Sequence, residues 1–435
     1  MKIKRRQFLK NVMGTSILSM SFSKVMYAQT PFVFWNNLFT SEIYLNQFVP
    51  WWEEQIGSIV PPDVPIEYGA LAYSDLEQRF LISGQTGTPD LIEGVLSQVA
   101  VYKNAGLIDA LNERFLAWDE HEQFIQNALE AVTIRGQLYG LPYIGNARAL
   151  VYRKSILEKH GLDVPGTWEA LLEAARTISA NEKNMTGYMM TTRRGLVRGF
   201  QEFMSHVYQL TDQLFVLEDG VWQVNLSEGD LATILAFYRS LFFDGDSPAI
   251  PLIDRGKEAL VMDMDYTVGK IAMMPNGPFI FARRSQSELQ RQILEEDTAV
   301  APLPLPPNGK PGTFLEVKAV MINTFSQSKD LAWEVAKLWT GQAGIAHHVA
   351  LTGDGPTRQD VFGRLPDFLS PAAQRWQAQW AVVLPTGRAL APVPMGGSRE
   401  AIFDAVQEAI FTDKDLNQVA QALHTRLKTQ AQGFL

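Results

Sequence analysis

Along the first hundred residues, apolar and polar positions switch between two periods. FVFWNN (Phe32–Asn37) is a short apolar run that ends on polar side chains, and it predicts a strand. From Glu42 to Ile56 the aromatic residues Phe48, Trp51 and Trp52 fall near helical spacing. VPIEYGA predicts a second strand, and YSDLEQRFLISGQTG a helix with Ser74 as its N-cap and Gly84 or Gly87 as its terminator. TPDLIEGV supplies a third strand. Strands and helices in this rhythm imply parallel pairing with helices on the sheet faces, hence an α/β architecture. In open sheets of that kind ligands lie at the carboxyl ends of the strands. The rule gathers Trp35, Asn36, Asn37, Glu93, Gly94, Ser97 and Gln98 on one rim.

Further along, IRGQLYGLPYIGNARALVYRKSIL reads as a hairpin-like pair leading into extended chain. GTWEALLEAARTI reads as a helix capped by Thr167, with Leu171, Leu172, Ala175 and Ile178 as its buried stripe. TGYMMTT is a further strand, and Arg194 to Phe243 is largely helical around an EDGVWQVNLS turn. VGKIAMMPNGPF is a strand that stops at Asn276, Gly277 and Pro278. AVAPLPLPPNGKPG carries too many prolines for a helix and predicts a crossover. LEVKAVMIN returns to strand, KDLAWEVAKLWTG to an amphipathic helix, and the tail is helical from Ala405 to about Leu427.

Composition narrows the function classes. The chain has 435 residues, is 46% hydrophobic and carries a formal net charge of −9, which suits a large core and disfavours nucleic acid or an anionic membrane as partner. It has no cysteine, which removes thiol nucleophiles, thiolate metal sites, disulfides and an acylated N-terminal cysteine. KRRQFLK (Lys4–Lys10), with the pair Arg5 and Arg6, precedes a short, serine-containing apolar stretch to Tyr27. That stretch falls short of the about 20 apolar residues a membrane span needs. It resembles a twin-arginine export signal, residues 1–28, with cleavage expected after Ala28 and delivery of a folded protein to the periplasm without a lipid anchor.

Five segments in order carry a resemblance over nearly the whole remaining chain: TPDLIEG, YKNAGLIDALN, YGLPYIGNARALVYRKSILEKHGLDVPGTWEAL, GKIAMMPNGPF, and LEVKAVMIN followed by SQSKDLAWEVAKLWTG. Together they resemble the extracellular solute-binding proteins of bacterial ABC sugar importers, the family that includes the maltose-binding protein and binding proteins for glucosylglycerol and similar osmolytes. The resemblance implies a periplasmic binding protein type II fold, two α/β lobes around a hinged ligand cleft. Lobe 1 would comprise 29–145 plus 300–345, and lobe 2 146–299 plus 346–435. It also implies a monomer that hands a carbohydrate, such as a disaccharide or a glucosylated solute, to a membrane permease, without cofactor or metal. Aromatic planes suit the C–H faces of a sugar, and carboxylates, amides and arginines suit its hydroxyl rim. Carried over by position, the resemblance nominates Trp35 and Asn37, Tyr143 and Asn146, and Arg193 or Arg194 in TTRRGL. It further nominates Phe279 as a stacking platform, Glu316 in FLEV, and Gly396, Gly397 and Arg399 with Ser398 ahead of the last helix.

Other signals point elsewhere or nowhere. His347 and His348 are adjacent, which on a helix turns them to different faces, and no HExxH spacing exists. DMD at Asp263–Asp265 lacks the glycine and distal glutamate of a calcium loop and reads as a surface turn. Two readings compete with the receptor: an exported glycan-active enzyme, whose paired carboxylates could come from distant segments, and a sugar sensor coupled to a different membrane partner.

Overall fold

A computed structural model describes residues 30–243, 248–365 and 369–434. The expected export signal lies outside the described residues. The strands used below are β1 (Phe32–Asn36), β2 (Ile66–Ala70), β3 (Leu91–Val95), β4 (Leu141–Ala147), β5 (Ala149–Arg153), β6 (Thr186–Tyr188), β7 (Ile271–Asn276), β8 (Thr298–Ala301) and β9 (Thr313–Ile322), with one further hairpin given in place. The helices used below are α1 (Val49–Ile56), α2 (Tyr73–Ser83), α3 (Leu96–Asn104), α4 (Trp168–Asn181), α5 (Val197–Leu210), α6 (Glu228–Phe243), α7 (Ala259–Thr267), α8 (Lys329–Thr340), α9 (Gln342–Thr352), α10 (Pro371–Trp380), α11 (Gly396–Phe411) and α12 (Leu416–Gln432).

The chain divides into two compact units. Unit 1 holds the chain up to Ile144, Val317–Leu351 and Pro356–Arg364; unit 2 holds Gly145–Glu316, Thr352–Gly355 and Leu365–Leu435. Residues 145 and 300–316, placed in lobe 1 by resemblance, therefore fall in unit 2, and 346–351 and 356–364, placed in lobe 2, fall in unit 1.

In unit 1, β1 pairs in parallel with both β2 and β3, as the strand–helix rhythm predicts, and β9 pairs antiparallel with β3 from Lys318↔Val95 to Ile322↔Leu91. The core beneath the sheet is aromatic. Trp339 of α8 meets Phe34 edge-on at 4.9 Å, Trp52 at 5.0 Å and Phe48 at 5.2 Å. The buried Trp52 indole donates to the Tyr68 hydroxyl at 2.9 Å, so the polar end of a large ring is satisfied inside the core. Helix α2 begins at Tyr73 after Ala72, so Ser74 sits inside it rather than at its N-cap. Gly87 closes the following turn at φ +86°, where a side chain would be strained and a Cβ would stand 2.7 Å from the Phe325 carbonyl.

Unit 2 has a four-stranded sheet in the order β8, β5, β7, β6. Strand β5 runs antiparallel to both β8 and β7, while β7 and β6 are parallel. The EDGVWQVNLS turn is a two-stranded hairpin, Phe215–Glu218 with Val221–Val224, turning on Asp219 and Gly220, both at positive φ. Thr167 caps α4 by accepting from the Ala170 N–H at 3.2 Å. The buried stripe of α4 runs through Leu171, Ala174, Ala175 and Ile178, leaving Leu172 half-buried. The helical tail is two helices, α11 and α12, which pack on each other and on α6. Asp263, expected in a surface turn, is buried in α7 at 1% exposure. Among the described residues, no helix is long and apolar enough to cross a membrane.

The contact between α4 and β6 rests on a missing side chain. A Cβ on Gly187 would stand 2.0 Å from the Ala175 carbonyl oxygen, a backbone atom that cannot rotate away. Gly187→Ala should therefore lower the unfolding free energy by about 1–3 kcal/mol, read as an earlier midpoint in denaturant with an unchanged slope.

Candidate functional site

In unit 1 the nominated residues gather at the carboxyl ends of β1 and β3, and most are already engaged. Trp35 pairs in register with Gly69 of β2, and its indole lies against that glycine: a Cβ there would be 2.4 Å from the ring. The ring is half-buried, so part of it stays open to solvent. Asn37 donates from its side chain to the Leu71 carbonyl at 3.0 Å and from its backbone to Glu93 Oε2 at 3.0 Å. Tyr143 donates to Glu93 Oε1 at 2.8 Å. Both Glu93 oxygens thus accept from this framework, and Glu93 and Tyr143 are wholly buried. Asn36 is buried too; its Oδ1 accepts from the Phe39 N–H at 2.9 Å and shapes the turn after β1. Gln98 caps α3 by accepting from the Val95 N–H at 3.1 Å. Ser97 is exposed on the first turn of α3. These residues do gather near the strand ends, but Asn36, Glu93, Gln98 and Tyr143 are buried. Trp35, Asn37 and Ser97 are the accessible members.

In the same unit His348 stacks on Phe48 at 4.5 Å, and its Nδ1 lies 3.3 Å from the Tyr44 hydroxyl. Burial pushes the His348 imidazole well below the ordinary histidine range. The adjacent histidines are thus a neutral core ring and its neighbour.

In unit 2 the nominations separate. Arg193 pairs with Glu258 at 2.5 Å, and Arg194 with Glu400 at 2.8 Å and Asp404 at 3.0 Å, all at the exposed surface. Gly396 and Gly397 open α11. The close approach at Gly397 is to the Gln430 side chain, where a Cβ would meet Oε1 at 2.2 Å, so that glycine serves helix packing. Arg399 is half-buried on the same helix.

Asn146, Phe279 and Glu316 do converge, around a residue the sequence reading missed. Arg148, 4% exposed, donates from one terminal nitrogen to Asn146 Oδ1 and from the other to Gln201 Oε1. The Asn146 amide donates on to Asp354 Oδ1 at 3.2 Å, and the Gln201 amide to Glu316 Oε2 at 3.1 Å. The Arg148 guanidinium carbon lies 5.5 Å from the centre of the half-buried Phe279 ring, and that of Arg198 lies 5.3 Å from it. Arg198 grips both oxygens of Asp263, at 2.7 and 3.0 Å. Asp263 also accepts from Asn276 at 2.9 Å and from Arg283 at 3.1 Å. Asn276 shapes the turn as well, its Oδ1 accepting from the Gly277 N–H at 2.8 Å.

Burial brings the Arg148 guanidinium down to about 10, the Arg198 charge adding to the effect while Glu202, Glu316 and Asp354 oppose it. Burial pushes the Glu202 carboxyl up to about 8 against Arg198, Arg148 and the Thr191 N–H. Sequence signals for this cluster were thin: one arginine inside the apolar run YIGNARALVY and the first of two aspartates inside LVMDMDYT.

Comparisons with known proteins place this arrangement in a context. A family model described as bacterial extracellular solute-binding protein matches residues 61–346. The maltotriose-binding protein of Pyrococcus abyssi is 23% identical over 402 residues, covering 87% of this chain and 81% of that one. The mannitol-binding protein of Pseudomonas aeruginosa is 24% identical over 354 residues, 77% of each chain. Among solved structures, the sugar-binding protein MalE from Xanthomonas citri matches with a TM-score of 0.75 at 19% identity, covering 92% of this chain and 97% of that one. The fold is thus that of a type II periplasmic binding protein.

Glu202 gives a stability test with a fixed sign. Its native carboxyl holds a proton that the unfolded chain gives up at 4.5, so between pH 4.5 and 8 the native state binds more protons and stability falls as pH rises. Glu202→Gln removes that contribution. The variant should gain on the parent across this window by on the order of 1 kcal/mol or more, measured by denaturant unfolding at a series of pH values.

Proposed function

The chain belongs to the bacterial extracellular solute-binding protein family, and on that premise we propose that it is the receptor of a carbohydrate importer. The reading rests on one observation. In each unit a half-buried aromatic ring, Trp35 or Phe279, stands at or just beyond the carboxyl end of a strand with a side-chain amide near it, Asn37 or Asn146. Such a ring offers a face to the C–H groups of a sugar, and the neighbouring amides and guanidiniums match its hydroxyls in directed hydrogen bonds. The names of relatives that bind maltotriose and mannitol support the same class. The proposed solute is a disaccharide or a glucosylated polyol, taken up outside the cytoplasmic membrane after twin-arginine export and released to a permease. Receptor action requires binding without cleavage.

The test is thermal unfolding of the protein from Gln29 onward against maltose, maltotriose, trehalose, sucrose, mannitol and glucosylglycerol. A sugar at a hundredfold excess over its dissociation constant adds about 2.7 kcal/mol to the folded state. One or a few of these should raise the midpoint and be recovered intact. Trp35→Ala and Phe279→Ala should each weaken that binding by about tenfold or more, measured calorimetrically. No shift with any sugar, or a sugar consumed, overturns the proposal.

A further inference from the structure

We infer that Arg148 is a positioning residue for the solute, acting through two side-chain amides that orient Asp354 and Glu316. The inference rests on the carbohydrate reading above and adds a role for residues that do not themselves need to touch the sugar.

An arginine has only donors, so each amide facing it must present its oxygen. Asn146 and Gln201 do so, one to each terminal nitrogen of Arg148. Their nitrogens are then fixed on the opposite side, where Asn146 reaches Asp354 and Gln201 reaches Glu316. The arrangement is symmetric in kind: guanidinium, amide, carboxylate, twice over. A buried charge ordinarily sits against its counter-charge. Among the described residues Arg148 has no carboxylate within ion-pair distance, and its Nε, though buried, has no partner. Two carboxylates stand one amide away instead. Only a planar fork can hold two amides apart in this way, and a lysine's single ammonium would not.

The surroundings are built to admit the cluster. A Cβ on Gly277 would stand 2.3 Å from Asn146 Oδ1, 2.4 Å from a Phe279 ring carbon and 2.5 Å from the Arg148 nitrogen that serves Asn146. The turn after β7 thus lets the ring, the amide and the arginine meet at one point. The neighbouring arginines have their own counter-charge, since Asp263 holds Arg198 and Arg283. Arg148 is left to the amides, and one of them, Asn146, lies beside the ring nominated for stacking.

Removing Arg148 outright would strand the amide oxygens of half-buried Asn146 and buried Gln201 and could unfold the protein, so the test changes the amides. In Asn146→Asp and Gln201→Glu, an ionised carboxylate still accepts from Arg148 but repels Asp354 or Glu316 where the amide donated. A protonated carboxyl keeps both halves of the amide's role: its carbonyl oxygen accepts from arginine and its O–H donates to the neighbouring carboxylate. The parent, the two variants and Arg148→Lys would be titrated calorimetrically at about pH 8 and about pH 5 against the six sugars named above, after each is shown to unfold cooperatively without sugar.

The expected result, for any sugar the parent binds, is about tenfold weaker binding or more by both amide variants near pH 8. Near pH 5 they should recover to within about threefold of the parent, whereas Arg148→Lys should stay weak at both. Variants that bind like the parent near pH 8 overturn the inference and leave the receptor reading standing. Weakening that is equal at both pH values also overturns it, because a lost contact or a loosened fold would not follow the proton. A parent that binds none of the six sugars removes the carbohydrate reading, and the inference with it.

Discussion

A guanidinium enclosed by protein must find all of its compensation nearby, because water is no longer there to supply it. In unit 2 that demand organises the end of the sheet. Arg148, between β4 and β5, is met by an amide from β4 and another from α5. The same helix supplies Arg198 to Asp263 of α7 and Glu202 to the Thr191 backbone. One helix therefore engages both guanidiniums that lie by the Phe279 ring, accepting from Arg148 through Gln201 and contributing Arg198. The ring is held by the placing of charge as much as by apolar packing, a reason for its half-buried position.

Unit 1 answers a similar demand with aromatic mass. Its rim is backed by Glu93, whose oxygens are taken by a tyrosine hydroxyl and a backbone N–H. Behind that pair lies a close-packed set of indole, phenol and imidazole rings around Trp339. A stiff backing of this sort lets a short strand end display Trp35 in one orientation. Gly69 completes the display by giving the indole a flat bed. The two units thus reach comparable rims by different means, one by ring packing and one by a network of charges and amides.

How far the sequence foretold this depends on the range of each interaction. Periodicity and capping are local, so the strands around Phe34 and Leu91 and the Thr167-capped helix could be read directly. Trp35 could be placed at a strand end from the local pattern, whereas Phe279 was nominated only through the family resemblance. Arg148, Gln201, Asp263 and Asp354 were not legible, because each acquires its meaning from at least one partner tens to hundreds of residues away. Glu316 illustrates the difference: beside Lys318 in the sequence, it accepts in the structure from Gln201 on another element. Asn36 and Gln98 mark the opposite error. Polar residues at a strand end suggest a ligand, yet turns and helix caps draw on the same residue types for their own hydrogen bonds.

The interleaving of the two units has a bearing on biogenesis. Strand β9 is divided between them, with Thr313–Glu316 in unit 2 and Val317–Ile322 in unit 1, and unit 1 also needs the segment ending at Arg364. As the ribosome releases the chain, the first parallel strands emerge early but wait for their antiparallel neighbour until more than two-thirds of the polypeptide exists. During that interval the edge of β3 that β9 will cover stays open to wrong pairing. Neither unit can be completed from a contiguous stretch of chain, so both mature late and together. For a protein of this build, a translocation route that accepts cargo only after folding would provide the interval in which assembly finishes.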